Sequence, residues 1–183
     1  LNGASATAAS TITAAGIEKF NVDASGTASG ALATPVTLTS ANTTDVTITG
    51  NAASAIAANL AGASATVQGT VTGNDAANTV VLTAAGTDKI SVSLGAGDDV
   101  LSIGTIGATH TIAGGDGTDT LASTAAITTT TGANISGFEA VSAGAVSVAL
   151  PTAGNTINAV TFTGTGGTVA GVAAGATVTQ AAT

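Results

Sequence analysis

Aspartate and glycine are the residues of this chain whose spacing could do chemistry, because carboxylates held beside bare backbone carbonyls make a site for a hard, oxygen-seeking cation. Six of the ten acidic residues, Asp75, Asp88, Asp98, Asp99, Asp116 and Asp119, fall within 45 consecutive positions, and the rest of the sequence is nearly uncharged. Within that block Gly114-Gly115-Asp116-Gly117-Thr118-Asp119-Thr120-Leu121-Ala122 satisfies every fixed position of the nonapeptide G-G-x-G-x-D-x-U-x, U being a large aliphatic, whose turns bind Ca2+. Leu94-Gly95-Ala96-Gly97-Asp98-Asp99-Val100-Leu101-Ser102 satisfies all but the first. Glycine matters in such turns because a left-handed or bulged backbone, which aims carbonyls at the ion, penalises a Cβ.

Weaker copies extend the series. Thr83 to Ser91 keeps Gly86, Asp88 and Ile90; Gly73 to Val81 puts Asn78 before Val80; a further slot puts His110 before Ile112. The sixth-position residues are then Asn78, Asp88, Asp99, His110 and Asp119, each followed two places later by an aliphatic: Val80, Ile90, Leu101, Ile112 and Leu121. With two such units per turn of a right-handed roll, alternate units share an edge. Asn78, Asp99 and Asp119 are expected to stack on one edge, Asp88 and His110 on the other. The best cation site is expected between the Gly95–Asp99 and Gly114–Asp119 turns, and a second between the Gly73–Asn78 and Gly95–Asp99 turns. The Asp88 edge is the poorer one, since neutral imidazole is a poor ligand for such an ion.

The elements that must hold these turns read as strands. Val36-Thr37-Leu38-Thr39, Val46-Thr47-Ile48-Thr49, Val67 to Val71, Val80 to Thr83 and Val160 to Thr163 alternate apolar with polar or small residues, the period of a pleated face. Gly or Asn interrupts them every ten to twelve residues, as in a sandwich, roll or solenoid. The exception is the stretch from Asn51 through Ala53, Ile56, Ala57 and Leu60 to Gly62. Its i, i+4 apolar pair, capping Asn and terminal Gly predict a brief helix.

Ala, Thr, Gly and Ser supply 117 of the 183 residues, while Trp, Tyr, Cys and Met are absent and only Phe20, Phe138 and Phe162 are aromatic. Small aliphatics in repeated layers must therefore replace a bulky core. A net charge of −8, with Lys19 and Lys89 the only basic side chains apart from His110, leaves no surface for nucleic acid or acidic membranes. No apolar run approaches the roughly 18–20 residues of a membrane span. Zero cysteines remove disulfide and thiolate chemistry and suit an exported chain. Gly16-Ile17-Glu18-Lys19-Phe20 recurs as Gly137-Phe138-Glu139-Ala140-Val141, and Leu1 precedes Gly16 much as Leu121 precedes Gly137. This suggests tandem units of about 120 residues and a chain that is a piece of a longer one.

Residues 73–122 resemble the RTX (repeats-in-toxin) calcium-binding β-roll, and the Thr/Ala/Gly-rich remainder resembles the S-layer proteins exported by type I secretion. The resemblance implies calcium-triggered folding outside the cell, with ligand aspartates at Asp99 and Asp119 and carbonyl-donating turns among Gly95, Gly97, Gly115 and Gly117. Asp98, Asp116, Asn78 and Asp88 complete the candidate metal residues, for one to three Ca2+ ions. The expected fold is all-β: Thr/Ala/Gly-rich β-solenoid or β-sandwich modules with a parallel β-roll segment. The divisions are 1–72, a β-rich module; 73–122, the roll; and 123–183, the start of the next module.

No catalytic set emerges. His110, the sole histidine, has no nucleophile beside it and is expected in an exposed or turn position. Glu18 and Glu139 occupy equivalent repeats rather than facing each other as an acid/base pair, and each is expected to pair with backbone amides in its turn. The Gly-rich stretches lack the Lys-Ser/Thr ending or strand–turn–helix context of a phosphate cradle. Asn42-Thr43-Thr44 fits the N-glycosylation acceptor. The functional expectation is a structural, non-enzymatic component of a bacterial surface layer on the cell exterior. It would self-associate into a lattice, with other parts of the chain binding cell-surface polysaccharide. The alternatives are the stalk of a secreted RTX adhesin or the C-terminal roll of a secreted hydrolase.

Overall fold

The computed structural model describes residues 11–25, 35–152 and 155–180. Strands alternate between two parallel sheets as the chain advances. In order they are β1 (Thr11–Thr13), β2 (Lys19–Asp23), β3 (Val36–Thr39), β4 (Asp45–Thr49), β5 (Ser54–Asn59) and β6 (Gln68–Thr72). There follow β7 (Asn78–Thr83), β8 (Lys89–Ala96), β9 (Val100–Ile103), β10 (Thr111–Asp116), β11 (Thr120–Ser123) and β12 (Ile135–Ser136). The odd-numbered strands form one sheet, which continues through β13 (Ala140–Ala143), β15 (Ala159–Phe162) and β17 (Thr177–Gln180); β2 to β12 form the other. Beyond a one-turn helix α1 (Thr129–Gly132), β14 (Ser147–Ala149) pairs with β16 (Thr168–Ala170) in a small third sheet. This is a β-solenoid, all-β as the sequence indicates. Every strand pairing among the described residues is parallel, and the pairing runs without interruption past residues 72 and 122.

The composition explains the shape. In β4 the apolar Val46 and Ile48 are buried while the intervening threonines reach the surface, and β7 repeats this with Val80 and Leu82 inside and Thr79, Val81 and Thr83 outside. Each turn presents one layer of Val, Ile or Leu to the next, so that Ile56, Val80, Leu101, Leu121, Val141 and Val160 form a single column in the odd-numbered sheet. All six are at most 1% exposed. Side chains from both large sheets belong to one continuous core, which needs no bulky aromatics because a neighbouring turn always lies 4.7–4.9 Å away. Two of the three phenylalanines, Phe138 and Phe162, are nonetheless buried in it.

The helix expected across Asn51–Gly62 is a strand. The spacing of Ile56 and Leu60 is i, i+4, which places two residues on one side of a helix and equally on one face of a strand. Here Ile56, Ala58 and Leu60 are buried at period two, and β5 pairs with both β3 and β7. Gly62 is not a helix terminator; a Cβ there would lie 2.3 Å from the Asn42 carbonyl oxygen, so the residue serves close approach of two turns.

The two Gly-apolar-Glu segments are equivalent as local turns but not in position. Gly16 and Gly137 both have positive φ (77° and 64°), and the carbonyls of Glu18 and Glu139 each accept two amides from the following turn. Glu18, however, opens β2 in the even-numbered sheet and Glu139 opens β13 in the odd-numbered one. Leu1, the upstream marker of the proposed unit, lies outside the described residues.

Candidate metal centre

The odd-numbered sheet begins each strand from the same edge, and there the sequence places a polar residue two positions before each core aliphatic. Ser54, Asn78, Asp99, Asp119 and Glu139 thus stack in one file, the register of β5, β7, β9, β11 and β13 fixing each above the last. The file is hydrogen-bonded throughout. Ser54 Oγ donates to Asn78 Oδ1 (2.8 Å), and the Asn78 amide N–H donates to Asp99 Oδ1 (2.6 Å). The Asp99 N–H in turn donates to Asp119 Oδ1 (2.8 Å), and the Asp119 N–H to Glu139 Oε2 (2.8 Å). Each carboxylate therefore reaches back to the backbone of the previous turn.

Asn78, Asp99 and Asp119 come together as the spacing indicates, and Glu139 pairs with a backbone amide, though one of the preceding turn rather than of its own. That Ser54 and Glu139 extend the same file went unread in the nonapeptide pattern. The signal was present, because Ser54-x-Ile56 and Glu139-x-Val141 repeat the polar-x-aliphatic spacing of Asp99-x-Leu101 without the glycines.

Both aspartates are fully buried, and each has an oxygen, Oδ2, without a hydrogen-bond partner. Burial pushes the Asp99 carboxyl up to about 6, against the hydrogen bonds from the Asn78 backbone and side chain, and the nearby Asp119 and Asp98 charges push the same way. Burial also raises Asp119, opposed by the Asp99 N–H and reinforced by the charges of Glu139, Asp98 and Asp116. A lone buried carboxylate with an unsatisfied oxygen is costly, and it is normally relieved by a proton or a cation.

The flanking turns have the backbone such a cation needs. Gly95, Gly97, Gly115 and Gly117 have φ of 107°, 100°, 126° and 137°. The two turns also stack too closely for side chains, since a Cβ on Gly115 would sit 1.8 Å from the Gly95 oxygen and one on Gly117 2.2 Å from the Gly97 oxygen. Asp98 and Asp116 stand outside the file and are exposed; Asp98 Oδ1 accepts the Thr118 N–H (2.9 Å), tying the two turns together at the surface. Among the described residues no three Asp, Glu or His side chains converge on one point. A cation at these turns would thus draw on carboxylates from two turns and on backbone carbonyls.

The Asn78 turn solves the same electrostatic problem without an ion. Asn78 Nδ2 donates to the carbonyls of Ala76 (2.6 Å), Asn74 (3.2 Å) and Leu94 (3.3 Å) and to Asp99 Oδ1 (3.2 Å). The amide occupies the middle of four oxygens, where the second cation of the sequence reading was placed.

The opposite edge departs from the expected register. Ile112 pairs with Val92 rather than Ile90, so Ile90 lies in the column of His110. The corner from Ile103 to Ile112 is one residue shorter than that from Leu82 to Val92, although both ends are paired. His110, two residues before the inward-facing Ile112, shares its face and is 1% exposed, instead of lying at the surface. Its Nε2 is 3.2 Å from the Ala85 oxygen, Nδ1 has no partner, and burial lowers its pKa. Asp88 does not meet it in the stack: Asp88 Oδ2 accepts the Ala85 N–H (2.8 Å) within its own turn. No family model matches the chain, and no curated protein or solved structure does either.

Proposed function

We propose that this chain is a structural β-solenoid segment of a bacterial surface layer, whose central turns are stapled by calcium bound between the Gly95–Asp99 and Gly114–Asp119 turns. The observation that carries the metal reading is the pair of fully buried aspartates, each with an unpartnered oxygen, beside four positive-φ glycines. Asp99 and Asp119 would supply carboxylate ligands and the glycine turns carbonyls, with Asp98 and Asp116 adding negative potential at the mouth. Calcium suits this oxygen-only donor set and tolerates its irregular geometry, whereas magnesium demands a near-ideal octahedron.

A structural role is supported by what the file does with its acids: they hold backbone amides of adjacent turns, and the only histidine faces the core. Without calcium, neighbouring buried carboxylates repel and the middle of the solenoid is destabilised; where calcium is plentiful, binding adds stability by mass action. That asymmetry fits export before folding and a place on the cell exterior. The Thr-rich outer faces, poor in charge, offer the surface for lateral association into a lattice.

Far-UV circular dichroism during a calcium titration from a chelated start tests the reading, with Asp99→Ala/Asp119→Ala alongside. A saturable gain of β signal, absent in the double variant, is expected; equal spectra with and without calcium would overturn the staple. Electron microscopy of the calcium-loaded chain then separates a two-dimensional array from the isolated rods of an adhesin stalk.

A further inference from the structure

We infer that Glu139 completes a second divalent-cation position, between the Gly114–Asp119 turn and the Gly137–Glu139 turn, so that the edge carries two calcium ions rather than one or three. The inference rests on the proposed calcium staple and concerns a turn that lacks the nonapeptide pattern.

Two unpartnered oxygens mark the file, and a single ion between Asp99 and Asp119 accounts for only one. Asp119 Oδ1 faces one turn back, where it accepts the Asp99 N–H and is the oxygen that Asp119 would offer the first ion. Asp119 Oδ2 lies on the other side, towards Gly137: the point where a Cβ would stand on Gly114 is 2.0 Å from the Gly137 oxygen and 2.5 Å from Asp119 Oδ2. Two acceptors are thus held within 4.5 Å of each other, and one of them, the buried Asp119 Oδ2, has no hydrogen-bond donor.

The Asn78 turn supplies the comparison. The corresponding point on Gly73 lies 2.0 Å from the Leu94 oxygen and 2.9 Å from Asn78 Nδ2. There the facing pair is an acceptor and a donor, and the amide bridges to the next turn's carbonyl (3.3 Å) and carboxylate (3.2 Å). Replacing that NH2 by the Oδ2 of Asp119 leaves the same carbonyl–carboxylate arrangement in want of a positive centre, with Glu139 in the place Asp99 takes above Asn78.

A glutamate suits this place. Only Gly137, Phe138 and Glu139 separate Ser136 from Ala140, whereas residues 114–119 separate their paired partners Ala113 and Thr120. The additional methylene lets the carboxylate span the shortened turn and meet the Asp119 N–H at 2.8 Å. Glu139 is half-buried, so water can complete the six to eight oxygens calcium takes. At the other end of the file the Asn78 amide fills the slot, which excludes a third ion.

Counting ions on the calcium-loaded chain, by native mass spectrometry with calorimetric titration, decides the matter. Two per chain are expected in the wild type, and one in Glu139→Gln, whose carboxamide oxygen still accepts the Asp119 N–H. Asp99→Asn, which disables only the first position, is expected to keep one. A wild-type count of one would overturn the second position while leaving the staple intact, and a count of none would remove both. Two ions retained by a folded Glu139→Gln would also overturn it. The wild-type count depends on no variant, so it decides even if a substitution prevents folding.

Discussion

At residue scale, the difference between Asn78 and Asp99 is one of an amide against a carboxylate at matching places in successive turns, and it separates a self-sufficient turn from one with a buried, unpartnered oxygen. Asp99→Asn should therefore stabilise the calcium-free protein at neutral pH, by about 1–3 kcal/mol, while making it indifferent to calcium at that position. Thermal melts in chelator and in calcium check both halves. The carboxylate also sets a pH dependence. Its folded-state value, about 6, lies above the ordinary 3.8, so the native state binds the proton more tightly than the unfolded chain. The resulting stabilisation is complete below pH about 4 and is lost as pH rises through about 6.

Asp119, raised likewise, acts in the same sense. His110, lowered from 6.5 by burial, opposes them, because the unfolded chain protonates first as pH falls. The wild-type minus Asp99→Asn difference isolates the Asp99 share: in chelator it should favour the wild type increasingly from pH 7 towards pH 4. A flat difference would show that the buried carboxylate does not titrate there.

At the scale of elements, the turns rather than the strands carry the site's constraints. Gly115 has both a positive φ and a carbonyl 1.8 Å from any Cβ, whereas Gly16 has a positive φ with nothing within 4 Å. Gly115→Ala should cost at least ~2–4 kcal/mol through backbone displacement, against about 1–2 kcal/mol for Gly16→Ala through left-handed strain alone. Chemical denaturation of the two variants gives the comparison.

The same contrast explains what was legible in the sequence. Strands β3, β4, β6, β7 and β15 were readable because β-branched residues alternate in them, and the Asn78–Asp99–Asp119 file because its spacing is conveyed by fixed motif positions. β5 was not, since spacing of four residues does not distinguish helix from strand and only the pairing with β3 and β7 decides it. The slip that sets His110 opposite Ile90 was hidden for a related reason: Ile112 pairs two residues away from the expected partner, and a shift of two keeps the same side chains facing inward, so the aliphatic spacing looks regular in either register. Glu139 escaped because its turn keeps a single glycine, Gly137, and reaches the file with a longer side chain, so the nonapeptide pattern is absent.

For the whole molecule, the relevant fact is that successive turns touch only their neighbours, and the turns around Leu101 and Leu121 repeat 20 residues apart. Calcium held at the Asp99 edge should accordingly protect the amides of β9 and β11 from hydrogen exchange far more than those of β3 or β17. Uniform protection along the chain would instead indicate one cooperative block. Chelation is expected to open the middle before either end.

The parallel pairing also has a mechanical consequence. Hydrogen bonds between turns lie along the long axis, so a pull applied at the two ends loads them rung by rung, as a zipper and not as a rope in shear. Each 20-residue rung would surrender about 70 Å of slack when it yields. A segment with ions clamped across its central rungs would then behave as a stretch of reinforced tape, extensible at both ends and stiff in the middle, with its resistance set by the calcium content of the surrounding water.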